Sequence, residues 1–371
     1  MKICLITSAH PSYDTRIFIK ECCSLSKKFD TYLVVADGKG DEHIKNVHII
    51  DAGKFNGRKN RMLRAPSAVY AKALQVDAKV YHLHDPELIP IGIKLKFKGK
   101  KVIFDAHEDL PNQIKNKHYL NKFMRYSLSS FAKQFEKFFC SKFDGIIVAA
   151  EPVIKDKFLK INANTVVVNN YPKLEELGKE KQNIQRKENE VCYVGGLTSI
   201  RGIVEIVEAI SFAQNRIRLV LAGNFTEKHI QEQVGKLRGW EYTEFLGYVD
   251  RPTIQKVLSS ASIGLVTLHP TPSYLNSMPV KMFEYMCAGI PVIASNFPLW
   301  KPLIEENHCG ICVDPLKAEE IARAIDFLVD NPEIAKQMGN NGKKLVEEKY
   351  SWEAEENILL KFYDVILGLN K

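Results

Sequence analysis

The sequence predicts an α/β protein built as two doubly wound, Rossmann-like parallel-sheet domains in tandem. Three observations carry this. Apolar runs of strand length alternate with segments whose apolar residues recur at helical spacing. The alternation starts twice, near residue 2 and again near residue 190, and the charged, apolar-poor stretch KLEELGKEKQNIQRKENE separates the two starts. At 371 residues and 45% hydrophobic, the chain is too long for one ordinary core and rich enough for two. The expected division is a first domain over 1–172, a linker over 173–189, a second domain over 190–350 and a last helix, 351–371, packing back toward the first domain.

In the first half, KICLITS (2–8) and YLVVAD (32–37) read as strands, with RIFIKECCSLSKKF at helical spacing between them. The intervening loop, SAHPSYDTR, lies at the carboxyl end of the first strand, where doubly wound sheets present ligand-facing groups, and it carries His10, Asp14 and Arg16. It lacks the three-glycine dinucleotide fingerprint, which argues against a nicotinamide cofactor. Further strands are predicted at 78–84, 100–105, 143–149 and 165–170. Two of them end in polar clusters: His82, His84, Asp85 and Glu87 after one, Asp105, His107, Glu108 and Asp109 after the other. Acid–histidine clusters at equivalent strand ends point to function. They could also ligate a metal, although the spacing matches no zinc pattern.

The second half restarts with EVCYVGG (190–196), the turn TSIRG, the helix IVEIVEAISFA and the strand RIRLVLAG (216–223). Gly195, Gly196 and Gly202 flank the turn, where glycine lets a backbone approach a ligand closely, and Arg201 could pair with a phosphate bidentately. Strands follow at 242–249, 263–268, 291–295 and 310–313, and a helical tail from Ala318 breaks at Tyr350-Ser351-Trp352 before a last amphipathic segment. Within this half, NSMPVKMFEYMCAGIP (276–291) reads as a well-punctuated helix, with Ser277 as N-cap, Pro279 in the first turn and Gly289 and Pro291 as the stop. Lys281 and Glu284 stand three residues apart and share a face, with Tyr285 beside it. An anion at that helix start would meet free backbone N–H groups, a positive helix-dipole end of about half an elementary charge, and Lys281. Glu284 could accept hydrogen bonds from ribose or hexose hydroxyls. The plainer reading is a surface Lys–Glu pair on an amphipathic helix.

Composition sets further bounds. The net charge is +8, and the excess is concentrated: residues 94–142 carry twelve Lys/Arg against four acids, Asp105, Glu108, Asp109 and Glu136. Phe123, Tyr126, Leu128, Phe131, Phe135, Phe138 and Phe139 interleave with them at largely helical spacing. The aromatics read as a core-facing stripe with a solvated lysine face, whose lysines could still attract anionic lipid headgroups in a peripheral membrane contact. The basic excess is local and no recognition motif accompanies it, which argues against nucleic acid. The N-terminal apolar run is too brief for a secretory signal and no run nears the ~20 residues of a membrane span, so a cytoplasmic protein is expected. Eight cysteines are scattered, and Cys309 with Cys312 is a lone CxxC, read as reduced thiols rather than a zinc site.

Taken together, VGGLTSIRG (194–202), FLGYV (245–249) and above all PVKMFEYMCAGIPVIAS (279–295) resemble the GT4 family of retaining glycosyltransferases, whose GT-B fold sets two doubly wound domains across a cleft. HPSYDTRIFIKE (10–21), HLHDPELIPIG (82–92) and DAHEDLP (105–111) resemble a branch associated with bacterial surface polysaccharides. The resemblance implies that Glu284 meets the nucleotide ribose, Tyr248 lies beside the nucleobase, Arg201 and Lys281 hold the donor diphosphate with Gly195 and Gly196, and His107 lies near the donor sugar. Asn224, Ser277, Met278, Pro279 and Val280 complete the implied donor-binding set. Two departures stand out: Asn276 falls where the family has a first glutamate, and Gly196 where it has an arginine. His10, Asp14, Arg16, His84 and Asp85 would face the acceptor.

The implied reaction moves a sugar from a UDP- or GDP-linked donor to a glycan or lipid-linked glycan, as in O-antigen or capsule synthesis, at the inner face of a membrane. No Asp-x-Asp occurs in the chain, so the leaving diphosphate is expected to be held by helix N–H groups, Arg201 and Lys281 with no metal or other cofactor. Glu284 and His107 are the candidate catalytic residues, His107 in an orienting or electrostatic role. A nucleotide-sugar epimerase using the same donor cradle, or a catalytically silent donor-binding partner, are the rival readings.

Overall fold

The computed structural model describes residues 1–107, 109–115, 121–149, 152–177 and 186–369; Glu108, Lys117 and the middle of the expected linker lie outside the described residues. The chain divides into two compact units, Met1–Asn170 with Ala354–Lys371, and Tyr171–Glu353.

In the first unit β1 (Lys2–Ile6), β2 (Asp30–Val35), β3 (Glu42–Ile44), β4 (Val47–Asp51), β5 (Val80–Leu83), β6 (Lys101–Ala106), β7 (Gly145–Val148) and β8 (Thr165–Val167) form one sheet in the order β3-β4-β2-β1-β5-β6-β7-β8. All neighbours run parallel except β3 and β4. Strands β1, β5 and β7 are apolar and buried on both faces, as parallel strands between helical layers must be. The β3–β4 hairpin escapes sequence reading because its DEHIKNVHIID run alternates polar and apolar residues around histidines. Its turn is nonetheless encoded: Lys45 and Asn46 both take positive φ, 51° and 60°, the conformation a two-residue hairpin needs. The first helix, Thr15–Cys22, is wound as a π-helix and capped by Asp14, whose Oδ1 accepts from the Arg16 and Ile17 amides at 2.8 and 2.9 Å.

The helix Lys122–Cys140 corrects one expectation. Its buried residues are Ser129, Ala132, Glu136 and Cys140, whereas Phe123 is 81% and Phe131 68% exposed, with Tyr126 and Phe138 also outside and Phe135 and Phe139 half-buried. Helical spacing fixes that the aromatics share a stripe, not which side of the helix the sheet occupies; here small residues take the inner face and allow close packing. The last helix, Trp352–Leu367, serves this unit too: Tyr363 is fully buried, Phe362 and Ile366 nearly so, and Asp364 pairs with Lys28 at 2.5 Å.

The second unit has a six-stranded parallel sheet of β9 (Glu190–Val194), β10 (Arg218–Ala222), β11 (Thr243–Gly247), β12 (Ile263–Val266), β13 (Val292–Ser295) and β14 (Gly310–Val313), in the order β11-β10-β9-β12-β13-β14. Strand order therefore reverses between β9 and β12, and the carboxyl ends there are the usual ligand position in open α/β sheets. Apolar cores cover both faces, one including Ile206, Leu219 and Ile325 and the other Phe283, Met286 and Trp300. All eight cysteines are free thiols. No helix among the described residues is long and apolar enough to cross a membrane.

Candidate functional site: a buried cation pair at the end of β9

β9 ends at Val194, and the chain turns through Gly195 and Gly196 at the switch point of the second sheet. Gly195 has φ +136°, a region side chains rarely adopt, and a Cβ on Gly223 of the neighbouring strand end would lie 1.8 Å from the Gly195 carbonyl oxygen. This tight crossing is possible only without side chains, and two cations fill the space beside it. A Cβ on Gly195 would meet Lys281 Nζ at 2.9 Å and Arg201 Nη1 at 3.4 Å.

Arg201 closes a single 3₁₀ turn, Ser199–Arg201, and reaches back so that Nη1 donates to the Gly196 carbonyl and Nε to Tyr274 Oη, both at 3.4 Å. Tyr193 Oη donates to the same Gly196 carbonyl at 3.1 Å, and Lys281 Nζ lies 3.7 Å above the centre of the Tyr193 ring. That ammonium is buried and has no hydrogen-bond partner among the described residues. Burial, then the charge of Arg201, push its pKa well below the ordinary lysine value, with Glu284 acting weakly in the other direction. An anion is the missing complement.

Lys281 comes from the helix Val280–Cys287, which Tyr285 anchors to the sheet by accepting the Val194 amide at 2.9 Å. The start of this helix corrects the expected cap. Proline disfavours the helical region at the residue before it, here Met278, which works against a helix starting at Ser277. Pro279 takes the cap position (φ −72°, ψ 130°), no side chain caps the first turn, and the Ser277 carbonyl accepts instead from Trp300 Nε1 at 2.7 Å. An uncapped helix start beside two cations offers free N–H groups and positive charge, the chemistry that suits an anion.

Glu284 is buried one turn further on, where its Oε1 accepts from Arg251 Nη1 at 2.6 Å; Arg251 also binds Glu176. Burial alone would lower the Arg251 pKa, but the Glu284 and Glu176 carboxylates raise it. Neither Arg251 nor Glu176 was singled out from sequence, since they stand 33 and 75 residues from their partners. Arginine at the first turn of the Arg251–Ser260 helix, where a cation is unfavourable to the dipole, was the available signal. The remaining donor-side residues stand at the carboxyl edge or near it. Tyr248, just past β11, is 81% exposed. Asn224, past β10, is exposed and uses its carbonyl to hold the Leu197 amide at 2.9 Å. Asn276 is exposed with its amide donating to the Pro272 carbonyl at 3.0 Å, and Met278 and Val280 are half-buried.

The first unit gathers the other candidates. Arg16 turns inward, a correction to its expected ligand-facing role: Nε and Nη2 grip Asp105 bidentately at 2.9 and 3.0 Å and Nη1 donates to the Val168 carbonyl at 2.9 Å. Asp85 is likewise engaged, accepting from Thr7 Oγ1 at 2.8 Å and the Ser8 amide at 2.6 Å. Burial would raise Asp105, but Arg16 and the imidazoles of His107 and His84 hold it well below the usual carboxylate range. Glu21, unassigned by sequence reading, lies in the same nest. Its burial, and then the neighbouring Asp105, raise it well above the ordinary value although Arg16 Nε stands 3.0 Å away. Burial drives His84 down to about 4 and lowers His82, whose Nδ1 meets Tyr363 Oη at 3.0 Å. His107 Nε2 lies 3.3 Å from both His84 Nδ1 and Asp105 Oδ2, and its ring centre is 5.4 Å from that of His10. His10 meets Asp14 at 3.2 Å; burial opposes its protonation, but Asp14, Asp85 and Asp105 outweigh this and raise it. Asp14 falls to about 2, the His10 hydrogen bond and the helix-start amides outweighing burial. Arg16, His84, Asp85 and Asp105 thus form a buried support, and His10 and His107 are its more accessible edge.

Comparison with known proteins gives these sites a family. The glycosyl transferases group 1 family matches residues 175–345, which contain the Lys281–Arg201 pair. An uncharacterized glycosyltransferase of Methanocaldococcus jannaschii is 27% identical over 50% of this chain, and the aligned stretch spans about half of that relative, 47% of its length. Among solved structures, sucrose-phosphate synthase from Thermosynechococcus elongatus aligns over 100% of both chains with a TM-score of 0.77 at 18% identity. Anabaena HepE, solved with UDP-glucose, aligns over 98% of this chain and all of its own with a TM-score of 0.73 at 14% identity. The second unit thus carries the glycosyl transferases group 1 match, and the whole chain shares the GT-B fold of these solved structures.

Proposed function

We propose that this chain transfers a sugar from a UDP- or GDP-linked donor to a glycan or lipid-linked glycan in surface-polysaccharide synthesis, with retention and without a metal ion. The single observation that carries the donor reading is the buried, unpartnered Lys281 ammonium beside Arg201 at an uncapped helix start. A diphosphate there receives two cations and several N–H donors in a site where such charges are strong. The relative solved with UDP-glucose supports a nucleotide-sugar donor for the same fold.

In the transfer, the bond from the anomeric carbon to the β-phosphate oxygen breaks, a bond from that carbon to the acceptor hydroxyl oxygen forms, and the hydroxyl proton passes to the departing diphosphate. Arg201 and Lys281 meet the charge that builds on the leaving group. Glu284, held by Arg251, accepts from the ribose hydroxyls, and Tyr248 covers the nucleobase. Asn276 and His107 address the donor sugar, and His10 and Asp14 the acceptor.

The test is donor turnover by Lys281→Ala and Arg201→Ala. Each is expected to lose about 10²–10³ in kcat, the cost of removing one oxyanion donor. Unchanged rates with both would sink the phosphate assignment, and loss of turnover on adding EDTA would sink the metal-free reading. A second reading is a donor-binding partner that does not turn over, favoured by the Asn276 amide being committed to Pro272. Donor affinity without hydrolysis or transfer across an acceptor panel would establish it.

A further inference from the structure

We propose that the outer face of the Lys122–Cys140 helix is a docking surface for an anionic lipid bilayer, with the helix lying in the plane of the interface. Phe123, Phe131 and Phe138 are 81%, 68% and 63% exposed, and Met124 and Leu128 extend the same half of the helix, which the inward-facing Ser129, Ala132, Glu136 and Cys140 place opposite the sheet. An apolar stripe of this size turned to solvent on a packed helix marks an interaction surface.

Charge decides what covers it. The one acid of the helix, Glu136, is buried against Lys157 at 2.5 Å, so the exposed surface carries Lys122, Lys133 and Lys137 with no carboxylate of the helix beside them. A solvated helix face intersperses both signs. A second copy docking by the same face would bring these lysines against their own counterparts, since a two-fold interface is self-complementary. A bilayer rich in anionic headgroups satisfies both features: the rings enter the acyl boundary and the lysine stems reach along it, leaving ammonium groups at the phosphates. The neighbouring helix Ile89–Phe97 packs against this one and ends in Phe97, 88% exposed, followed by exposed Lys98.

The inference goes beyond sugar transfer and is measured without turnover, so either can fail alone. Flotation of the full chain with unilamellar vesicles of phosphatidylcholine, with and without equimolar phosphatidylglycerol, is expected to show binding only with the anionic lipid and release by salt. Replacing Lys122, Lys133 and Lys137 together by Ala should weaken binding about a hundredfold, roughly fivefold per lysine. Phe123→Ser, Phe131→Ser and Phe138→Ser together should weaken it at least about tenfold. All six side chains lie outside the core, so an unchanged thermal midpoint with lost flotation supports the proposal. Equal binding to neutral and anionic vesicles, wild-type binding by both triple variants, or a wild-type dimer that the phenylalanine variant dissociates would each overturn it.

Discussion

The two units bury positive charge in opposite ways. In the first, Arg16 is answered: Asp105 takes it bidentately, Val168 accepts from its remaining nitrogen, and Glu21 lies 3.0 Å from its Nε. In the second, Lys281 and Arg201 lie together at Gly195 while Glu284, on the same helix as Lys281, is spent on Arg251. A buried ion pair complete in itself costs little to keep and much to break, whereas an unanswered buried cation is costly until a ligand arrives. The first cluster is therefore complete in itself, and the second has the charge that our proposed donor diphosphate would answer.

The sharpest way to break this contrast is to delete each cation. Arg16→Ala leaves Asp105 buried without its guanidinium partner and should destabilise the protein by about 3–5 kcal/mol, read as a lost or much lowered thermal midpoint; a near-normal midpoint would mean that the pair is not what holds the first unit. Lys281→Ala should do the reverse, leaving the fold intact while kcat falls about 10²–10³-fold. Next comes Arg251→Ala, which strands Glu284 and Glu176; donor affinity should fall about tenfold or more, at ~1.5–3 kcal/mol for a charged hydrogen bond, with Arg251→Lys recovering part of it. Titration of nucleotide binding by calorimetry would show otherwise if Glu284 acts alone.

The smallest effects concern protons. Because burial disfavours the Lys281 ammonium in the free protein, a bound diphosphate must draw a proton in, so donor affinity should fall as pH rises, by at most about tenfold per unit for one proton. Lys281→Arg should flatten that dependence while keeping the charge. The unfolded chain binds this proton more readily than the folded one, so Lys281 costs stability at neutral pH, and the cost shrinks as pH climbs toward ~10.4, the ordinary lysine value. Lys281→Met should accordingly raise the midpoint by about 2–4 °C, as for ~1 kcal/mol, and the gain should fade in alkaline buffer. A rise that does not fade would assign it to packing against Tyr193 instead.

Much of the frame was legible in the chain. Strand positions in the second unit follow from apolar runs bounded by glycine and proline, and Lys281 with Arg201 stood out because helix starts and glycine turns advertise anion sites locally. What was illegible is what depends on distance or on side. Arg251 finds Glu284 only through the fold. Ser277 is an excellent cap by type, yet the proline two positions on displaces the helix start. The phenylalanines of Lys122–Cys140 announce a stripe, and only the small residues opposite reveal that it faces out.

The route of the chain has an evolutionary and practical corollary. Residues Tyr171–Glu353 are one uninterrupted segment, whereas the first unit is completed by Ala354–Lys371. The Tyr171–Glu353 unit is thus a cassette that recombination could exchange at two joints, between 170 and 171 and between 353 and 354. A fragment ending at 170 would lack Tyr363 over His82 and Glu355 on the Asn169 amide, and would leave a raw apolar seam on its sheet. Chimeras should therefore transplant the middle and keep both ends from the same parent.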